Sequence, residues 1–323
     1  MPAARSRTIA AVPNRFEPRQ HRIDVGALTL NHLDYSDLLN NRAPLGTILT
    51  LHGQADSAWS MHSIALEFGD RYRVLSLDLR GHGLSDRGGY AVLQMVADLA
   101  GAIDALDLTD PIIVGHSLGG QVSSQFCGIY PAVARALVLV EGMGPPVDSR
   151  RPSAGVELTD DQAQLAWARR VADLMRQPYR SRTFDDLDAA VERFRAGHPG
   201  LSPDRALHLV ERSTRVLDNG AHEWLFDPAT RDWLAGHDQE RAYQRWRSID
   251  CPVLVVNGGD AWARFWSQGP SAGAVRYSDA AHAQRMANFA NAYEVVIPAA
   301  GHMVQYDQPE ALNQAIDEFL TRL

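Results

Sequence analysis

The chain has 323 residues, 45% of them hydrophobic, which suits one large domain or one domain with a sizeable insertion. Its formal net charge of −8 argues against a nucleic-acid binder, which needs a basic face. All 31 basic residues are arginine, so a Schiff-base lysine, a lysine general base and a lysine phosphate loop are excluded.

Residues 1–22 set Arg5, Arg7, Arg15, Arg19 and Arg22 against one acid, Glu17. No apolar stretch follows them, so they predict a polar arm rather than a targeting segment. ALTLNHLDY (27–35) reads as a first strand or strand pair. GTILTLHG (46–53) is apolar on both faces, as a central parallel strand must be. RVLSLDLRGHG (73–83) repeats the form, a strand running into a glycine-rich turn. Val92, Val96, Leu99, Ile103 and Leu106 follow at helical spacing. PIIVG (111–115) is another buried strand, with a helix predicted from 117 to about 129. RALVLVEGMG (135–144), PVLVVNGG (252–259) and YEVVIPAAGH (293–302) are further strands, and a helix over about 309–322 closes the chain.

This alternation predicts a mainly parallel sheet with helices on both faces. Residues 148–247 differ in texture: charged and helical, with Trp167, Tyr179, Phe184, Phe194, Trp224, Phe226 and Trp233 interspersed. They are too long for a crossover and predict a helical cap inserted over the C-terminal edge of the sheet. The expected plan is an arm (1–22), a core in two pieces (23–147 and 248–323) and the cap (148–247). Cys127 and Cys251 fit no metal spacing and predict free thiols in a reducing, cytoplasmic compartment. No apolar run approaches the ~20 residues of a membrane span.

Gly115-His116-Ser117-Leu118-Gly119 fits G-x-S-x-G between a strand and a helix. Such a bend strains Ser117 toward positive φ and exposes its hydroxyl at a helix N-terminus, where negative charge is favoured. His52-Gly53-Gln54 follows an earlier strand and aims the Gln54 N–H at the same space as the Leu118 N–H, the donor pair of an oxyanion hole. The hydroxyl needs a base. Of 12 histidines, His302 follows the last strand, on the edge where the other loops emerge. His52 and His116 lie inside the turns and read as structural, and His82 as ordering a neighbouring loop.

With LHGQADSAW, DLRGHGLSD, GHSLGG, the GGD after the seventh strand and AAGHMVQYDQPE, the chain resembles the α/β-hydrolase superfamily. VEGMGPP and NGGDAW are most similar to its serine-hydrolase-like esterase branch. The resemblance implies the α/β-hydrolase fold with an eight-stranded sheet, and a Ser117–acid–His302 triad. It implies no cofactor and no metal. The acid is open. The usual family position follows the seventh strand as G-x-x-D, but here Asp260 arrives one residue early and Ala261 holds the expected place. Glu141, 24 residues beyond Ser117 at the end of the sixth strand, is the alternative, since some family members carry their acid there. The expected substrate is a small hydrophobic ester, with lactone or C–C bond hydrolysis, perhydrolase-like activity and a non-catalytic ligand-binding role as alternatives. Trp59, Met143, Trp262 and Trp266 are candidates to line the pocket, with cap aromatics as its roof. Oligomeric state is not legible.

Overall fold

Strands apolar on both faces need cover on both sides. The computed structural model describes residues 16–144, 159–235, 238–267 and 278–323. It opens with an edge hairpin, β1 (Arg19–Asp24) against β2 (Thr29–Asp34). The expected arm boundary at residue 22 therefore falls inside a strand, because Arg19 to Arg22 pair with Asp34 to Asn31. Residues 1–15 of that arm lie outside the described residues.

Strands and helices then alternate as β3 (Thr47–Leu51), α1 (His62–Phe68), β4 (Arg73–Leu77), α2 (Val92–Ala105), β5 (Ile112–His116), α3 (Leu118–Ile129) and β6 (Ala136–Val140). The intervening segment holds α4 (Asp160–Met175), β7 (Thr183–Phe184), α5 (Leu187–Gly197), α6 (Pro203–Ser213), β8 (Thr214–Val216), β9 (His222–Trp224) and α7 (Gln239–Trp246). The chain returns through β10 (Val253–Gly258), α8 (Asp279–Met286), β11 (Ala292–Ile297), α9 (Val304–Asp307) and α10 (Pro309–Leu320).

The main sheet has eight strands in the order β1-β2-β4-β3-β5-β6-β10-β11. From β4 to β11 every pairing is parallel; β2 meets β4 antiparallel. Successive residues face opposite layers. Leu49, Leu51, Ile113, Leu137, Leu139, Val253 and Val255 join a cluster with α2 and α3. Ile48, Val74, Ile112, Val114, Val138, Leu254 and Val256 join a second cluster with α1 and α10. The strands thus read as unbroken apolar runs, each buried side chain contributing about 1.5–3 kcal/mol. From β3 the chain passes to β4 on one side and then to β5 on the other. The loops after β3 and β5 diverge there and open a crevice at the carboxyl ends of the strands.

The segment expected to form a helical cap also carries a small antiparallel sheet, β7-β9-β8, whose strands are too short to leave a periodic signature. Its expected end at residue 247 falls just beyond α7, which packs on the core. Within α7, Trp246 is fully buried in the first cluster with Ala242 and Tyr243. Its ring stacks on Phe289 at 4.9 Å, and its indole N–H donates to Ser124 Oγ at 3.0 Å. By packing, α7 belongs to the layer over α3. Among the described residues no helix is long and apolar enough to cross a membrane.

Candidate active site

Ser117 links β5 to α3 at φ 50° and ψ −111°. Backbone held there costs on the order of 1–3 kcal/mol, so the surroundings must impose it. They do so through the main chain. The Ser117 N–H donates to Val140 O at 3.0 Å, and the Gly119 N–H donates to His52 O at 3.0 Å. Close approach requires the two motif glycines. A Cβ on Gly115 would lie 2.5 Å from Gly119 O, and one on Gly119 would meet the Leu51 carbonyl oxygen.

Neighbouring strands deliver the partners. The Glu141 N–H extends the sheet by donating to Val256 O at 2.8 Å. Glu141 itself has φ 50°, which turns its buried carboxylate back across the strand ends. His302, also buried, follows β11. Its Nε2 lies 2.9 Å from Ser117 Oγ, and its Nδ1 lies 3.2 Å from Glu141 Oε2. Glu141 accepts two further hydrogen bonds, from the Gly258 N–H at 2.8 Å and from Trp266 Nε1–H at 3.0 Å. These donors hold the carboxylate oriented toward the imidazole. Phe265 stacks on the His302 ring at 4.0 Å with an interplanar angle of 5°, and Trp266 meets it edge-on at 4.8 Å. Both come from a π-helical turn, Trp262–Trp266, directly after β10. Asp260 is exposed, and its N–H donates to Ala300 O at 2.8 Å.

The loop after β3 closes the other side. A Cβ on Gly53 would lie 2.7 Å from His116 Nδ1 and 3.2 Å from Ser117 Cβ. The next residue, Gln54, therefore has its backbone beside the serine. Among the described residues neither the Gln54 N–H nor the Leu118 N–H has an acceptor. Leu118 opens α3, where first-turn N–H groups have no intrahelical partner. Two histidines clamp this loop to the turn after β4. His52 Nε2 accepts from the Leu79 N–H at 3.0 Å, so its Nδ1–H donates to Gly53 O at 2.7 Å. His82 Nε2 accepts from the Ala55 N–H at 3.1 Å, so its Nδ1–H donates to Arg80 O at 3.0 Å. Burial pulls the two rings down to about 4 and about 3, which keeps them neutral and the tautomers fixed. His116 Nε2–H donates to His302 O at 3.0 Å, and burial holds this ring well below the usual histidine range.

None of the four expected pocket residues is among the described residues lining the cavity beside the β3 loop. Trp59 is half-buried against His62 and His208, 4.7 Å beneath the Arg212 guanidinium. Met143 is buried in the first core cluster, and its carbonyl accepts from Arg285. Trp262 is half-buried on the π-helical turn, and Trp266 supports Glu141 and His302 from the same turn. A cavity of about 310 Å³ beside the β3 loop is lined instead by Asp56, Phe194, His198, Trp224 and Phe226, among others. Sequence reading noted its aromatics within 148–247 but missed Asp56, although it lies just two residues beyond Gln54. Tyr306 OH lies 3.1 and 3.2 Å from the two Asp56 oxygens and donates to this carboxyl.

A serine held at a strand-to-helix bend, on this parallel sheet and against a histidine from after the last strand, defines an α/β hydrolase. The chain belongs to the alpha/beta hydrolase family, whose sequence model matches residues 48–315. It is similar to 2-(acetamidomethylene)succinate hydrolase of Mesorhizobium japonicum, 27% identical over 304 residues, covering 93% of this chain and 94% of the relative. It is also 28% identical over 277 residues to esterase Rv0045c of Mycobacterium tuberculosis, covering 83% and 80%. The crystal structure of E-2-(acetamidomethylene)succinate hydrolase superposes with a TM-score of 0.71 at 25% identity, over 94% of this chain and 100% of that one. A thioesterase domain from the curacin biosynthetic pathway shares the fold, with a TM-score of 0.72 at 20% identity, over 94% and 100%.

Proposed function

We propose that the protein is a serine hydrolase that cleaves a small carboxylic ester through an acyl-enzyme, with Ser117 as nucleophile, His302 as base and Glu141 as the acid. The observation that carries this reading is the continuous contact Ser117 Oγ–His302 Nε2–His302 Nδ1–Glu141 Oε2, at 2.9 and 3.2 Å. Serine at its free pKa is a poor nucleophile, so Nε2 must take the proton as Oγ attacks the carbonyl. The oxyanion that forms is met by the Gln54 and Leu118 N–H groups, with the N-terminus of α3 behind them. Glu141 fixes the Nδ1–H tautomer and stabilises the imidazolium. His302 then gives its proton to the leaving alcohol, water enters, and the same imidazole activates it to release the acid.

Glu141 is preferred over Asp260 because it is buried, triply engaged and in contact with Nδ1, whereas Asp260 is exposed. The hydrolase and esterase named among the relatives support acyl-bond cleavage. We read residues 148 to about 238 as the cap, since Phe194, Trp224 and Phe226 wall the cavity beside the β3 loop. Two free, buried cysteines suit a cytoplasmic, reducing setting.

The test is a panel of 4-nitrophenyl esters with Ser117→Ala as control, alongside labelling by a fluorophosphonate probe. The parent should hydrolyse short acyl esters and label once, and the alanine variant should do neither. Hydrolysis by Ser117→Ala at the parent rate overturns the reading.

A further inference from the structure

The cavity beside the β3 loop carries an electrostatic feature that ester hydrolysis does not use. Its wall includes Arg182 and Arg193. Among the described residues neither guanidinium is paired with a carboxylate. Elsewhere on the same segment Arg212 is paired with Glu17, and Arg215 with Glu223 at 2.5 Å. Arg182 and Arg193 place two positive charges on one cavity wall in a chain of net charge −8.

The remaining polar groups of the wall leave that charge standing. His198 is pulled down to about 4, by burial first, and is neutral near pH 7. Among the described residues, Asp56 is the only carboxylate lining the cavity. Burial pushes it up to about 7, and the phenol of Tyr306 donates to it. A single carboxyl only about half ionised at pH 7 does not neutralise two arginines.

The same loop joins the cavity to the serine. Gly53 abuts Ser117, and Ala55, Asp56 and Ser57 continue directly into the cavity wall. Phe194 and Trp224 give the cavity apolar sides, which strengthens a charge interaction made between them.

We propose that this cavity binds a carboxylate carried by the substrate, gripped by Arg182 and Arg193, while the scissile acyl group lies on Ser117. The substrate class is then an acidic ester, a half-ester of a short dicarboxylic acid, rather than a purely apolar one. The guanidinium fork matches a carboxylate in geometry as well as in charge. The proposal rests on the serine-hydrolase reading for the bond that is cleaved, but the binding step stands apart from it.

The experiment compares mono-4-nitrophenyl glutarate with 4-nitrophenyl valerate, which differ by a carboxylate in place of a methyl. The parent should show the higher kcat/KM on the glutarate. In the Arg182→Gln/Arg193→Gln variant the glutarate-to-valerate ratio should fall by about 10- to 100-fold, carried by KM. Arg176→Gln, a solvent-exposed position at the C-cap of α4, should leave the ratio unchanged. Fluorophosphonate labelling of Ser117 checks that the double variant is folded. A ratio that stays within about twofold in the double variant overturns the proposal. If the parent cleaves neither ester, the hydrolytic reading fails on its own, and calorimetry decides the cavity. Free glutarate should then bind the parent saturably and the double variant at least about tenfold more weakly. Equal binding by both, or none by the parent, overturns the carboxylate site.

Discussion

At the residue scale, the candidate site is held by a few buried, directional contacts. The Glu141 carboxylate is buried and meets the Gly258 N–H, Trp266 Nε1–H and His302 Nδ1. Removing its charge while keeping its shape should leave the fold intact and the imidazole misoriented. Glu141→Gln is expected to cost on the order of 10⁴ in kcat, as loss of a triad carboxylate does, whereas Asp260→Asn should cost less than about threefold. Steady-state kinetics on one ester decides between them, and the reverse ranking moves the acid to Asp260. The indole of Trp266 is a finer probe. Trp266→Phe keeps the ring beside His302 but deletes one donor to a charged acceptor, which should lower kcat by about 10-fold or more.

At the element scale, what matters is how closely the β5–α3 turn, the β3 loop and the β6 turn can approach. Each is tied to its neighbour by main-chain bonds: Gly119 N–H to His52 O, Ser117 N–H to Val140 O and Glu141 N–H to Val256 O. The first step has no room for a side chain at 119, because the obstacle is the rigid Leu51 backbone carbonyl. Gly119→Ala should therefore destabilise the protein by about 1–3 kcal/mol, and displace Ser117 in whatever folds. Urea unfolding of the variant, with fluorophosphonate labelling of its folded fraction, reads both effects. Parent-like stability with full labelling would show that the turn relaxes without moving the serine.

For the molecule as a whole, buried histidines govern the response to acid. His32, His52, His62, His82 and His198 are drawn to about 3–4, with burial the largest cause in each, and burial holds His116 well below its usual range. The unfolded chain protonates them near pH 6.5, and the folded chain does not until far lower. The stability they give is complete above pH 6.5 and is lost as pH falls toward 4. Asp56, Asp78 and Glu67, raised by burial, and His282, raised by its hydrogen bond to Glu294, act in the opposite sense. Six groups against four leave a net loss, worth about 1.4 kcal/mol per pH unit for each net proton. The urea midpoint should drop between pH 7 and pH 5. A midpoint that holds or rises over that interval contradicts the neutral, buried histidines that clamp the β3 loop.

Much of this protein was legible locally. Strands such as ILTL and ALVLV announce burial on both faces by composition alone, because a parallel strand between two helical layers has no polar side. The G-x-S-x-G bend is equally local, since the glycines answer contacts within the turn and with the strand beside it. His302 was legible from its place after the last strand. Other features depend on residues distant in sequence, and no short pattern records them. Which carboxylate faces His302 follows from the pairing of β6 with β10 and from the left-handed turn at Glu141. Cys127 and Cys251, far apart in the chain, come to lie buried in the same core cluster. The allegiance of α7 is set by Trp246 meeting Phe289 and Ser124, although its other faces read as charged surface. The sequence by itself determined the sheet, the bend at Ser117 and the place of His302. Only the tertiary structure chose the carboxylate at Nδ1 and the walls of the cavity with its two arginines, because those depend on which loop ends the strand register brings within hydrogen-bonding distance.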